Sequence, residues 1–326
     1  MIRAEQPGNG RPSCVSGHSF GCGDVPMNEH MKVLIIGATG YVGTAVDEAL
    51  RARGHHVTGT ARSAAAQQKL TARGTTAVTA DAARPQTLSN AVRAADAVVY
   101  SVAVTDADPF AVDIGALKAI RKGLAGTEKT FVYVSGAWVY GATGPDPVEE
   151  NAPLAPPPFV ARRIELERAA LEMTKLGVRA IVVRPGVVYG RGGGLASMFV
   201  ATARERGAAS IVGPGTNRWA TIDVDDLGEF VALTLERGLP GRAYNAVNDD
   251  RFTVAEIASA ASRGAGAGGA TTLVPASVMG QLGECLALDQ SVSAARAKHD
   301  LHWSPAAPSI VATLERGAYT AEPATA

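Results

Sequence analysis

Lys32-Val-Leu-Ile-Ile-Gly37-Ala-Thr-Gly40-Tyr-Val-Gly43 decides the fold. An apolar run reads as a buried strand, the glycines as a tight turn, and the residues from Tyr41 as the start of an amphipathic helix carrying Val42, Val46, Ala49 and Leu50. Three glycines at this spacing let the chain turn sharply, approach a phosphate closely and pack helix against strand. The helix start offers unpaired N–H groups and a positive dipole end to a pyrophosphate. A second strand at 55–60 completes the context, so the stretch reads as a dinucleotide cradle formed by Gly37, Thr39, Gly40, Tyr41, Val42 and Gly43.

From this point outward the chain alternates. Strands are predicted at 32–36, 55–60, 75–79, 97–101, 130–134 and 179–183, with helices at 41–53, 63–73, 86–94, 109–125 and 158–176. That rhythm predicts an α/β fold, a doubly wound parallel sheet with helices on both faces. Beyond 184 short strands (210–212, 221–224, 242–246) mix with helices (194–206, 225–237, 253–263), which reads as a smaller substrate lobe over residues 185–326 beside a dinucleotide-binding core of residues 31–184. Arg263–Ala270 reads as a flexible connector, and the proline-rich stretch 141–158 as a long functional or disordered loop. Residues 1–30 carry neither period and no signal-peptide pattern, so they read as a disordered leader, with Met27 and Met31 as alternative starts.

Composition excludes several classes. The chain has 326 residues, 31 Lys plus Arg and 31 Asp plus Glu, so no net positive charge favours nucleic acid. No apolar run reaches the 18 or so residues of a membrane span. Cys14, Cys22 and Cys285 cannot build a disulfide framework, which fits a reducing, cytoplasmic setting. Cys14, His18 and Cys22 lack a second ligand pair, and Asp223, Asp225 and Asp226 read as a helix start, so no metal is expected. None of the six histidines falls in a predicted cleft motif, which argues against a histidine-based triad.

The landmarks together resemble the extended and atypical short-chain dehydrogenase/reductases, the group that includes sugar-nucleotide epimerases and dehydratases. The resemblance spans about 32–320. It rests on Gly37–Gly43, Gly54–Arg62, Asp81, Asp96–Ala103, Val134–Gly141, Arg184–Gly190, Trp219–Asp226 and Leu301–Pro305. It implies a nicotinamide cofactor, with Asp81 near the adenine and Ser101, Val102, Ala103 and Pro185 lining the site. NAD-type sites carry an acidic residue at the end of the second strand. Here that strand ends Thr60-Ala61-Arg62-Ser63. A guanidinium suits a 2′-phosphate, so Arg62 and Ser63 favour NADP over NAD.

The family's chemistry uses a Ser/Thr, a Tyr and a Lys, the last two spaced Tyr-x-x-x-Lys. Phe159 stands at the tyrosine position, Arg163 at the lysine position and Gly136 at the hydroxyl position. Phe carries no proton to give, and Arg stays charged at any working pH. Arg163 can still bond the nicotinamide ribose. The nearby hydroxyls that remain for catalysis are Tyr140 and Ser135, the proton coming from Tyr140, a water or the substrate itself, and Ser135 pointing toward the nicotinamide amide or a substrate oxygen. Trp138 reads as core, Tyr189 as a wall of the substrate cleft, and Asp146, Glu149 and Glu150 as solvated loop charges. Arg191, Asn217, Arg218 and Trp219 are the polar landmarks of the lobe.

Three readings follow. The first is an NADP-dependent oxidoreductase or epimerase-like enzyme acting on a small carbonyl, imine or sugar-like substrate. The second is a redox-silent cyclase, isomerase or dehydratase on the same scaffold. The third is an NADP-sensing protein without catalysis. A small-molecule substrate is expected, and pairing of two copies through helix 158–176 would make a homodimer.

Overall fold

The computed structural model describes residues 1, 30–103 and 108–319. The leader with Cys14, His18, Cys22 and Met27 lies outside the described residues. The first half runs β1 (Lys32–Ile36), α1 (Tyr41–Ala52), β2 (His56–Ala61), α2 (Ala64–Ala72), β3 (Thr76–Thr79), α3 (Ser89–Ala94), β4 (Ala97–Tyr100), α4 (Pro109–Leu124), β5 (Thr130–Val134), α5 (Arg163–Leu171) and β6 (Arg179–Pro185). The second half runs β7 (Val187–Tyr189), α6 (Ser197–Arg206), β8 (Ala209–Val212), β9 (Thr221–Asp223), α7 (Val224–Arg237), β10 (Ala243–Ala246), α8 (Val254–Gly264), β11 (Thr271–Val274), α9 (Gly280–Leu286), α10 (Ala295–Leu301) and α11 (Ile310–Glu315).

Seven strands form one parallel sheet in the order β10-β6-β5-β4-β1-β2-β3. This is the doubly wound arrangement expected from the alternating pattern. β1 is buried along Val33–Ile36 because both faces of the sheet are covered, which is why it reads as a continuous apolar run. One face packs α1 and α7 through Val46, Leu50, Leu227, Phe230 and Val231. The other packs α4 and α5 through Leu117, Ile120, Leu166 and Ala170. Sequence order reverses between β1 and β4, so a crevice opens there at the carboxyl ends of the strands, where such sheets take ligands.

Three expectations change. The 242–246 strand, expected in the smaller lobe, is β10 of the main sheet, paired in parallel with β6 from Ala243↔Val182 to Ala246↔Pro185. The helix expected over 158–176 is shorter: 3-10 turns at Pro158–Val160 and Glu172–Leu176 flank α5. Pro157 holds the chain extended at the entry, and Gly177 takes a left-handed φ of 76° at the exit. Arg263–Ala270 is a turn bonded onto α8, with Ala267 N donating to the Ser262 carbonyl and the Ser259 hydroxyl donating to that of Gly269.

The smaller lobe has its own core around Phe199, Trp219, Ile257 and Ile310. The 141–158 segment is strapped to residues 291–293, with Val148 N donating to the Ser291 carbonyl and Ser293 N to that of Val148, and Val148 packs with Val292 against the α1–α7 core. Among the described residues no helix is long and apolar enough to cross a membrane.

Candidate active site

The turn after β1 is built as its glycines require. Gly37 takes φ +98°, and a Cβ there would lie 2.2 Å from the Ser101 carbonyl oxygen; on Gly43 it would lie 2.1 Å from that of Gly37. Gly40 N donates to the Gly37 carbonyl at 3.0 Å, and Gly40 begins α1 with no side chain capping it. A Cβ on Gly40 would meet only the Gly37 carbonyl oxygen, at 3.3 Å, so the approach to the helix start is open. Thr39 is exposed beside it. An uncapped helix start with an open glycine approach fits a pyrophosphate on the backbone N–H groups of the first turn.

The side chains of that turn are already used for packing. Val42 packs against the α1–α7 core, and the Tyr41 hydroxyl donates to the Gly190 carbonyl at 2.7 Å. Burial pushes the Tyr41 phenol far above its ordinary range. Arg62 is exposed just past β2, at the entry to α2. Ser63 caps α2 by accepting from Ala66 N at 3.2 Å. Asp81 is tied into a turn, accepting from Ala83 N at 3.0 Å and facing Arg84 at 3.4 Å. Val102 packs against the α4–α5 core, Ala103 is exposed, and Pro185 closes β6.

Beside this cradle, a buried polar network ties the turn after β5 to α5, β6, the proline-rich loop and β10. The Ser135 hydroxyl donates to Glu167 on α5 at 2.5 Å. Glu167 receives Arg184 Nη2 at 2.7 Å and Nε at 3.1 Å. Arg184 Nη1 donates to the Tyr140 hydroxyl at 2.8 Å and to the Glu150 carbonyl at 3.3 Å. The Tyr140 hydroxyl donates to Asn245 Oδ1 on β10 at 2.7 Å. Glu150 accepts from Asn245 N at 2.8 Å and faces Arg296 at 3.4 Å.

The expectation for both hydroxyls changes accordingly. Tyr140 is 2% exposed and its proton is committed to Asn245, so the phenol does not open toward a substrate. Burial raises its pKa, against the lowering effect of Arg184. The Ser135 proton is committed to a carboxylate paired with an arginine, so Ser135 offers lone pairs and accepts bonds. Glu150 is not a solvated loop charge: it is buried, and burial raises its pKa against the hydrogen bond from Asn245 N and the charge of Arg296, while Asp146 and Glu149 are exposed.

Arg163 and Phe159 are placed apart from that network. Phe159 is 51% exposed in the 3-10 turn before α5. Arg163 is half-buried at the first position of α5, where its charge opposes the rise that burial gives the Tyr133 phenol. Glu167, one helical turn on, faces the Ser135 network.

The polar landmarks of the lobe are anchors. Arg191 pairs with Glu48 and Asp225, and Arg218 with Asp289. Asn217 Nδ2 and Trp219 Nε1 donate to the Leu286 carbonyl, and the Trp219 ring stacks on Phe199 at 5.5 Å. Tyr189, expected to wall the cleft, is fully buried, donating to the Pro308 carbonyl and accepting from Asn248. Asp223 caps α7 by accepting from Asp225 N, and Asp226 accepts from the backbone of Ala306 and Ala307. Sequence reasoning missed Glu167, Asn245 and Gln290, which donates to the Ala137 and Gly141 carbonyls. Only Glu167 left a trace, one helical turn after Arg163 and facing inward.

These features define a doubly wound α/β protein whose crevice at the β1/β4 switch fits a dinucleotide. Residues 33–246 match the model of the NAD dependent epimerase/dehydratase family, and the chain belongs to that family. The uncharacterized protein YLL056C of Saccharomyces cerevisiae is 30% identical over 240 residues, 70% of this chain and 78% of that protein. The 2-alkyl-3-oxoalkanoate reductase of Stenotrophomonas maltophilia is 27% identical over 70% of this chain and 73% of its own. A dTDP-glucose 4,6-dehydratase from Streptomyces venezuelae, a DesIV double mutant with NAD bound, shares the fold at a TM-score of 0.76 and 19% identity, covering 89% of this chain and 97% of that one.

Proposed function

We propose that this chain is an NADP-dependent reductase of a small acceptor that is already electrophilic, an enone or imine, with the proton drawn from water. The bonding of the Ser135 and Tyr140 hydroxyls carries the reading: neither holds a proton to give, and Phe159 and Arg163 supply none. An unactivated ketone needs acid assistance as its oxygen gains charge. A conjugated or protonated acceptor needs less. The similarity to a reductase supports reduction.

When bound, the dinucleotide supplies hydride from its nicotinamide ring. The first turn of α1 holds the pyrophosphate through backbone N–H groups. Arg62, with the start of α2, holds the 2′-phosphate. Ser135 accepts a hydrogen bond from the carboxamide. Arg163 bonds the nicotinamide ribose hydroxyls as a fixed cation.

Deuterium-labelled NADPH, offered with a cyclic imine, an enone and an unactivated ketone, tests this. The label is expected on the product of the first two only. Product formed without any nicotinamide nucleotide would overturn the reading in favour of redox-silent chemistry. In the same assay Tyr140→Phe is expected to keep kcat within about tenfold while losing about 1–3 kcal/mol of stability, because the buried Asn245 Oδ1 loses its donor and Arg184 Nη1 loses one of its two acceptors. A drop in kcat of roughly 10²–10⁴ would instead mark Tyr140 as the acid.

A further inference from the structure

The turn after β1 is gripped by a side chain from outside it. Arg73 directly follows the last residue of α2 and is half-buried. Its Nη2 donates to the Ala38 carbonyl at 2.9 Å, and its Nη1 donates to the Thr44 hydroxyl at 2.7 Å. Thr44 lies in the first turn of α1, and its own hydroxyl donates to the Gly40 carbonyl at 2.8 Å. One planar guanidinium thus spans the turn, from Ala38 on the strand side to Thr44 on the helix side. Asp47, one helical turn further along α1, aims it. That carboxylate is fully buried, accepts from the Thr75 hydroxyl at 2.6 Å and from Arg51 Nε at 3.1 Å, and faces Arg73 Nε at 3.6 Å.

We infer that Arg73 is a positioning residue for the pyrophosphate of the dinucleotide: it fixes the Ala38 carbonyl and, through Thr44, the Gly40 carbonyl, so that the N–H groups of the first α1 turn face the anion before it arrives. The inference rests on the proposed role of that turn in holding the pyrophosphate. Glycine-rich backbone loses much conformational freedom when it is ordered. A loop already held in its binding shape loses less on binding, and the affinity rises accordingly. Arginine suits the task because its donors diverge in a fixed plane and reach two acceptors at once, which a flexible ammonium does not guarantee. Arg73 acts through the carbonyls of the turn and not on the phosphate itself.

Titration calorimetry of the full chain with NADPH, NADH and 2′-AMP tests it, since only the first two carry a pyrophosphate. Arg73→Met is expected to raise the Kd of NADPH and of NADH about tenfold each, and to leave that of 2′-AMP within about twofold. A purely structural role would lower the urea midpoint and leave all three constants of the folded variant unchanged. Thr44→Val removes the relay to Gly40 but keeps the Ala38 bond, and is expected to raise both dinucleotide constants about threefold. It keeps the test decisive if Arg73→Met fails to fold. Unchanged dinucleotide constants in the folded variants, or an equal weakening of 2′-AMP, overturn the inference alone. A wild-type chain that binds neither dinucleotide overturns the proposed function and the inference with it.

Discussion

Replacing Glu167 with alanine is expected to cost about 3–5 kcal/mol of folding stability, a large part of the roughly 5–15 kcal/mol that holds a typical domain. Glu167 is 3% exposed and Arg184 5%, and they share three hydrogen bonds. Removing the carboxylate strands a buried guanidinium whose remaining partners, the Tyr140 hydroxyl and the Glu150 carbonyl, bear no charge. It also takes away the acceptor for Ser135. Urea denaturation followed by far-ultraviolet circular dichroism measures the loss. The paired substitution Glu167→Met with Arg184→Met is expected to recover much of it, because a buried ion pair and a well-packed apolar pair of similar volume are close in stability. A loss below about 1 kcal/mol in the single variant would mean that water reaches the pair.

The second large effect concerns cofactor choice. Arg62→Ala is expected to raise the Kd for NADPH roughly 10–100-fold, the size of losing hydrogen bonds to a charged group. The Kd for NADH is expected to stay within about threefold, since no phosphate stands on that ribose. Fluorescence titration of both nucleotides gives the comparison directly. Equal weakening of the two would place Arg62 elsewhere than at the 2′-phosphate and remove the preference for NADP.

What was legible in the sequence was mostly local. β1, Gly37 and α1 lie within 21 consecutive residues, and apolar run, positive-φ glycine and helix period all agree there. The residue types at Phe159 and Arg163 were readable from the chain, but not that they fall on a 3-10 turn and on the first residue of α5. The bonding state of Ser135 and Tyr140 was not readable either. Their partners stand 32 and 105 residues away, on α5 and β10. A serine and a tyrosine after a strand look the same whether their protons face a ligand or a buried acceptor. Glu150 misled for a related reason. It sits in a proline-rich loop, where charges are usually solvated, but Asn245 and Arg296 come from distant segments to bury it.

The return of the chain to complete the sheet limits how this molecule can be divided. β10 covers the outer edge of β6, and α7 from the same later segment covers one sheet face. A fragment ending near residue 190 would keep the whole phosphate cradle yet present a naked strand edge and an uncovered apolar surface, the features that drive self-association. The two parts are therefore complementary pieces of one cooperative body, and a nick between them parts the backbone without yielding two independent modules.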